Sequence, residues 1–263
     1  MRPRSILLST AALLLTGVAA CGGAPEAAAP PSSSAPTGPA ASDARESLAA
    51  RAALAMDKAY AALYSLDDGR GQPRNVVATV GRDGTWRVDV SGGALGGTAD
   101  VTIASTAAGV FQCTLGSQSN PIASTCVKVA KPGKPVPDEY DPKVERLFRQ
   151  WLSVFTDRQA ALAVTEVQPL AGAKGNCYSI DSISASLADP VDIGVYCYAE
   201  DGVLSAARVG FGMIKVISQV EGPATVPLPG PEVAGPPMGM DTPVAPPVQP
   251  VQPLQPSGLA PSA

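Results

Sequence analysis

Sorted by the spacing of apolar positions, the chain is a short apolar run, two unpatterned segments and a patterned middle. Ile6 to Val18 is apolar apart from Ser, Thr and Gly. At about a dozen residues it is too short for a bilayer, which takes about 20. From Asp43 the apolar positions Leu48, Ala52, Ala55, Ala59 and Leu63 recur at helical spacing. Asp43-Ala44-Arg45-Glu46 has the character of a capping box, so a helix is predicted, ended by Asp67-Asp68-Gly69.

The period then drops to two. Asn75 to Val80 and Trp86 to Val90 flank Asp83-Gly84, which predicts a hairpin with a two-residue turn. In that register Val77, Thr79, Trp86, Val88 and Val90 share one face, with Arg87 and Asp89 on the other. Gly92 to Gly97 lacks the G-x-x-x-x-G-K spacing of a phosphate loop and reads as a mobile loop. Ala99 to Ser105, Val110 to Leu115 and Thr125 to Val129 follow as strands, then a Pro-rich connector from Lys131 to Asp138. Asp141-Pro142 opens a second helix, an N-cap acid with proline at the first position. Its apolar face is Val144, Leu147, Phe148, Trp151 and Phe155, and a break near Thr156 leads to a short helix ending near Val164. Asn176 to Ile180, then Ile193 to Ala199 paired with Val203 to Phe211 around Asp201-Gly202, then Met213 to Val220, read as strands. Tyr196 and Tyr198 share one face of theirs. Gly210 and Gly212 suggest a bend in the sheet at Phe211.

The ends differ in composition. Residues 22–42 are almost all Ala, Pro, Ser and Gly, and residues 223–263 hold about half of the 27 prolines. Neither can bury enough apolar surface to offset ordering entropy. The expected organisation is therefore a signal peptide over 1–20, a tether over 21–42, one α+β domain over 43–222, and a disordered Pro-rich tail over 223–263. Val248-Gln249-Pro250, Val251-Gln252-Pro253 and Leu254-Gln255-Pro256 in that tail repeat with the three-residue period of polyproline II.

Val18-Ala19-Ala20-Cys21, behind the short apolar run and the positive Arg2 and Arg4, resembles a lipobox, the processing signal of bacterial lipoproteins. That resemblance implies a lipid on the Cys21 sulfur, a mature chain beginning there, and a location on the outer face of the cell membrane. The composition, rich in Ala, Gly, Pro and Val, resembles that of actinobacterial proteins. Cys113, Cys126, Cys177 and Cys197 then remain as an even set in an oxidising compartment. Three pairings are possible. Cys113 with Cys126 and Cys177 with Cys197 are favoured, because each pair is local and sits on neighbouring strands.

Charge and missing chemistry narrow the function. Arg2 and Arg4 are two of 19 basic residues against 23 acidic ones, so the mature chain is more negative still, which argues against a nucleic-acid partner. The sequence has no His, which removes the commonest general base and any Ser-His-Asp triad. No nucleophile, metal or cofactor motif stands in its place, so no enzyme and no cofactor are expected.

The element order, with the lipobox, resembles the half-barrel lipoproteins of the LolA and LppX/LprG type. The resemblance covers residues 43–222 and implies a curved antiparallel sheet, a half-barrel, wrapped on one or two helices and holding a lipid. On that reading Trp86, Phe148, Trp151 and Phe155 line a cavity for a hydrophobic ligand. The alternative is an interaction module with a filled core, displaying loops and the Pro-rich tail to an envelope partner. A pocket of several hundred Å3 between sheet and helix would separate the first from the second.

Overall fold

The computed structural model describes residues 41–117, 121–182 and 191–242. Cys21, the segments expected as signal peptide and tether, and the polyproline-like repeats lie outside these. Helix α1 (Ala41–Asp57) buries Ala44, Leu48, Ala52 and Ala55, the narrow stripe expected. It ends at Asp57, just before Ala59. The continuation expected to be helical is strand β1 (Tyr60–Asp67), whose Tyr60, Ala62, Tyr64 and Leu66 point inward in strict alternation. Tyr-Ala-Ala-Leu-Tyr-Ser-Leu suits either period. The strand prevails because β1 is hydrogen-bonded along both edges, a gain no helix there would match.

The remaining strands are β2 (Arg74–Val80), β3 (Trp86–Ala94), β4 (Ala99–Thr106), β5 (Gly109–Thr114), β6 (Cys126–Ala130), β7 (Leu162–Val167), β8 (Asn176–Ser182), β9 (Gly194–Tyr198), β10 (Leu204–Val209) and β11 (Gly212–Glu221). They form one 11-stranded sheet in the order β6-β5-β4-β3-β2-β1-β11-β10-β9-β8-β7. Every neighbouring pair is antiparallel. Two meanders, β1 to β6 and β7 to β11, are thus joined by the pairing of the first strand with the last. The sheet is curved and does not close. Both α1 and the second helix, α2 (Gln150–Thr156), cover its inner face.

Several local expectations change. In β2 the inward residues are Val76, Ala78 and Val80, not Val77 and Thr79. They lie opposite Val90, Val88 and Trp86, while Val77 and Thr79 share the outer face with Asp89 and Arg87. The hairpin closes through the loop 81–85, not a two-residue turn, and the loop shifts the register by one. Gly81 N–H donates to Thr85 O at 2.8 Å and Asp83 accepts the Thr85 N–H at 3.0 Å. Gly92 to Gly97 is not a free loop. β3 continues to buried Ala94, and the 3-10 turn Leu95–Gly97 donates N–H groups to Gly239 O (3.0 Å) and Met240 O (2.8 Å).

The long aromatic helix is also broken. Asp141 does not cap it. The chain makes a 3-10 turn at Val144–Leu147 after Lys143, whose φ is 64°, and only Gln150–Thr156 is α-helical. The stretch expected to be a short helix ending near Val164 is β7, where buried Leu162 and Val164 alternate with exposed Ala163 and Thr165. At Gly210-Phe211 the sheet does not bend. These two residues are the tight turn between β10 and β11, with Val209 opposite Gly212.

The chain past 222 is the largest departure. Expected to be a disordered tail, it is held on the sheet as far as Thr242, among the described residues. Pro223 and Ala224 accept the N–H groups of Arg82 and Asp83 at 3.0 and 3.1 Å, and Val226 is 3% exposed. Leu228 packs on the outer face over Phe111, Cys113 and Cys126. Residues 231–233 then run along the free edge of β6, where Cys126 N–H donates to Pro231 O (2.9 Å) and Val233 N–H to Cys126 O (2.8 Å). Met238 and Met240 reach the inner core. Gln112 clasps this end: its Nε2 donates to Tyr140 O and Met238 O, and its Oε1 accepts the Met238 N–H at 2.6 Å. An edge strand left bare would pair with another chain. Prolines do not prevent the binding, because the segment offers its carbonyls and the N–H of Val233.

Candidate functional site

The inner face is filled at its centre. Phe148, Trp151 and Phe155 are 2%, 1% and 0% exposed. Phe148 packs against Tyr64 in a tilted arrangement with ring centroids 4.9 Å apart. Trp151 meets Tyr196 edge-on at 6.0 Å and Phe155 meets it at 5.3 Å. The alternation of β9 brings Tyr196 and Tyr198 to this side and puts Val195 and Cys197 on the other. The three aromatic residues expected to line a cavity are packed in the core beneath the sheet. Both disulfides lie on the outer face, paired as expected: Cys113 with Cys126 and Cys177 with Cys197. Each pair is directly opposite in an antiparallel ladder, and the bonds suit an oxidising compartment.

Trp86 is the expected lining residue that does reach a cleft. It opens β3, directly opposite Ser105 of β4, which in turn lies opposite Val110 of β5. These three neighbours form the sheet wall of a cleft of about 230 Å3. The connector Gly133-Lys134-Pro135-Val136 makes its rim. Glu145, Arg149, Gln150 and Ser153 make the opposite wall. Glu145, Arg149 and Ser153 are four residues apart in turn, so the segment that sends Phe148, Trp151 and Phe155 inward shows the cleft its polar back. That spacing was readable in the sequence, but the aromatic stripe drew the assignment to the other side. The larger recesses are open surface grooves. The one of 380 Å3 beside Arg74 and Lys143 holds Asp68, which pairs with Arg74 at 2.8 Å.

The electrostatics of the cleft are uneven. Arg149 donates from Nη1 to Met56 O at 3.2 Å and has no ion pair among the described residues. Burial holds its pKa below the usual value, opposed by Tyr60 and Asp57. Lys134 is exposed and has no ion pair among the described residues. Glu145 is 3% exposed, and neither carboxyl oxygen has a hydrogen-bond partner. Burial, and then the neighbouring Asp141 carboxylate, push its pKa well up. Asp141 pairs with Arg146, whose Nε reaches Oδ2 at 2.6 Å, and accepts the Lys143 N–H at 2.5 Å. The cleft therefore presents two cations and an indole, while the Glu145 carboxyl oxygens are shielded from it.

No group of three or more His, Cys, Asp or Glu among the described residues could hold a metal ion. No helix among them is long and apolar enough to cross a membrane. No protein-family model matches the sequence, and no curated protein matches it. Among solved structures, an uncharacterized conserved protein from Thermus thermophilus aligns over 72% of this chain and 97% of its own, at 12% identity and a TM-score of 0.35. MucB aligns over 78% of this chain and 67% of its own, at 16% identity and a TM-score of 0.36. Likenesses of this degree assign neither ligand nor activity.

Proposed function

We propose that this protein is a non-enzymatic binding module of the extracytoplasmic face, anchored through lipid on Cys21, which meets its ligand in the surface cleft under Trp86. The filled inner face carries this reading: Phe148, Trp151 and Phe155 are at most 2% exposed. A curved sheet whose interior is occupied by its own aromatic rings favours a ligand met at the surface. The cleft, at about 230 Å3, falls below the roughly 300–1,000 Å3 of drug-sized ligand sites. It suits a ligand of one ring, or one end of a larger molecule. Native mass spectrometry of the detergent-released full chain tests the choice. The expected spectrum has the mass of the lipidated protein alone; a second, non-covalent lipid at one per chain would restore the carrier reading. Cys21→Ala should leave the protein unanchored or unprocessed, and membrane partitioning equal to wild type would refute the anchor.

A second reading, a docking module for a protein, is favoured by Ile217 and Val220 of β11, 59% and 63% exposed. Replacing both by Asp should leave folding intact and abolish capture of a partner from envelope extracts. Unchanged capture would remove that surface from consideration.

A further inference from the structure

We propose that the Trp86 cleft is a subsite for a single acidic sugar ring, a hexuronic acid or a pyranose bearing a carboxylate. This rests on the cleft being the ligand site, and it follows from two observations. The first is the lining. Ser105, Lys134, Glu145, Arg149, Gln150 and Ser153 outnumber the apolar Trp86, Val110, Pro135 and Val136. An apolar ligand would desolvate those polar groups without pairing them, at a cost for each. A polyhydroxylated ring pairs them and still lays its C–H face on the indole, whose π face is negative.

The second observation is charge. Arg149 and Lys134 flank the cleft with no ion-pairing acid among the described residues, so the complement they lack is an anion. A carboxylate on the sugar meets Arg149 in a charge-assisted bond. The volume agrees. At about 230 Å3 the cleft holds roughly seven waters' worth of liquid, which one pyranose ring displaces and a disaccharide exceeds.

The test is a titration of the purified full chain with sodium glucuronate, glucose and benzoate, read by tryptophan emission and by calorimetry. Trp151 is enclosed in the core, so a change on titration reports Trp86. Glucuronate should bind saturably, and glucose about tenfold more weakly or worse, the difference expected of one charge-assisted bond. Trp86→Leu should abolish the calorimetric response to both; because the indole also packs on the core, its unfolding is measured alongside. Lys134→Gln, at an exposed position that folding does not need, should weaken glucuronate by about two- to fivefold and leave glucose unaffected. Arg149→Gln should erase the preference for the acid; because Arg149 also holds Met56 O, its unfolding is measured alongside. Equal binding of glucose and glucuronate, or insensitivity of glucuronate to Lys134→Gln, overturns the acidic-sugar assignment. If benzoate titrates Trp86 and glucuronate does not, the cleft remains the ligand site and the sugar class is wrong. If no probe perturbs Trp86 and a lipid is retained inside the chain, the cleft reading falls as well.

Discussion

Replacing Glu145 by Gln should stabilise the protein near neutral pH and leave it unchanged in acid. The side chain is 3% exposed and its oxygens are unpartnered. In the unfolded chain a glutamate titrates near 4.3. In the fold, burial first and Asp141 second raise its pKa well above that. A raised folded pKa means that the full stability is present below the unfolded pKa and is lost as pH rises through the folded one. Above pH of about 4.3 the unfolded state releases a proton that the native state retains, and each pH unit costs about 1.4 kcal/mol. By pH 7 the accumulated loss can reach at most about 4 kcal/mol, the ceiling set by a carboxyl that stays protonated in the fold. Glutamine has the shape of the protonated acid and no proton to lose, so the variant avoids that cost. The assay is guanidinium unfolding of wild type and Glu145→Gln at several pH values from 4 to 8, with the disulfides intact. The difference should be near zero at pH 4 and grow with pH to at most about 4 kcal/mol at pH 7, a melting shift of up to roughly 8–16 °C. Asp68, Asp83 and Asp201, whose pKa values are lowered, contribute the opposite slope, but equally in both proteins. A difference that is constant with pH, or a variant less stable at pH 7, would refute the neutral buried acid.

Trp151→Ala removes a core ring that is 1% exposed and should cost about 3–5 kcal/mol; a loss below about 1 kcal/mol in denaturant unfolding would mean an unfilled interior. Changing Cys113 and Cys126 together to Ser opens a loop with a sequence separation of 13 and should cost about 3 kcal/mol. Unfolding midpoints that do not move would deny the bond a structural part. Ending the chain at Gly222 uncovers Val226 and Leu228 packing and the β6 edge, which should remove about 4 kcal/mol or more and promote self-association on sizing columns. If the truncated protein keeps its midpoint and stays monomeric, the segment over 223–242 is not part of the fold.

What the sequence determined by itself was whatever depends on neighbours in the chain. Alternation placed β3, β4, β5 and β8 in the right stretches, and put Tyr196 and Tyr198 together on one face of β9. Two local cysteine pairs on adjacent strands left little choice of partner. Asp201-Gly202 marked its hairpin, since Gly202 takes a φ of 85° and lies against Leu54 and Ala55 of α1. The misses share a cause: each was decided by a partner distant in the chain. Tyr60 to Asp67 became a strand because β2 and β11 both pair with it. The aromatic helix broke because Asp141 turned to Arg146 and because Phe148, Trp151 and Phe155 had to fit under tyrosines from β1 and β9. The segment past 222 was ordered by Gln112 and by the free edge of β6, neither of which composition can register. The cleft is the same case. Trp86, Ser105 and Val110 are separated in sequence and adjacent only through register, and Glu145 and Arg149 face them only because the inner stripe of the same segment is buried. A periodic pattern says which side of an element is wet or dry. Which partner covers the dry side, and whether space remains between them, is a property of packed volumes that only the tertiary structure decides.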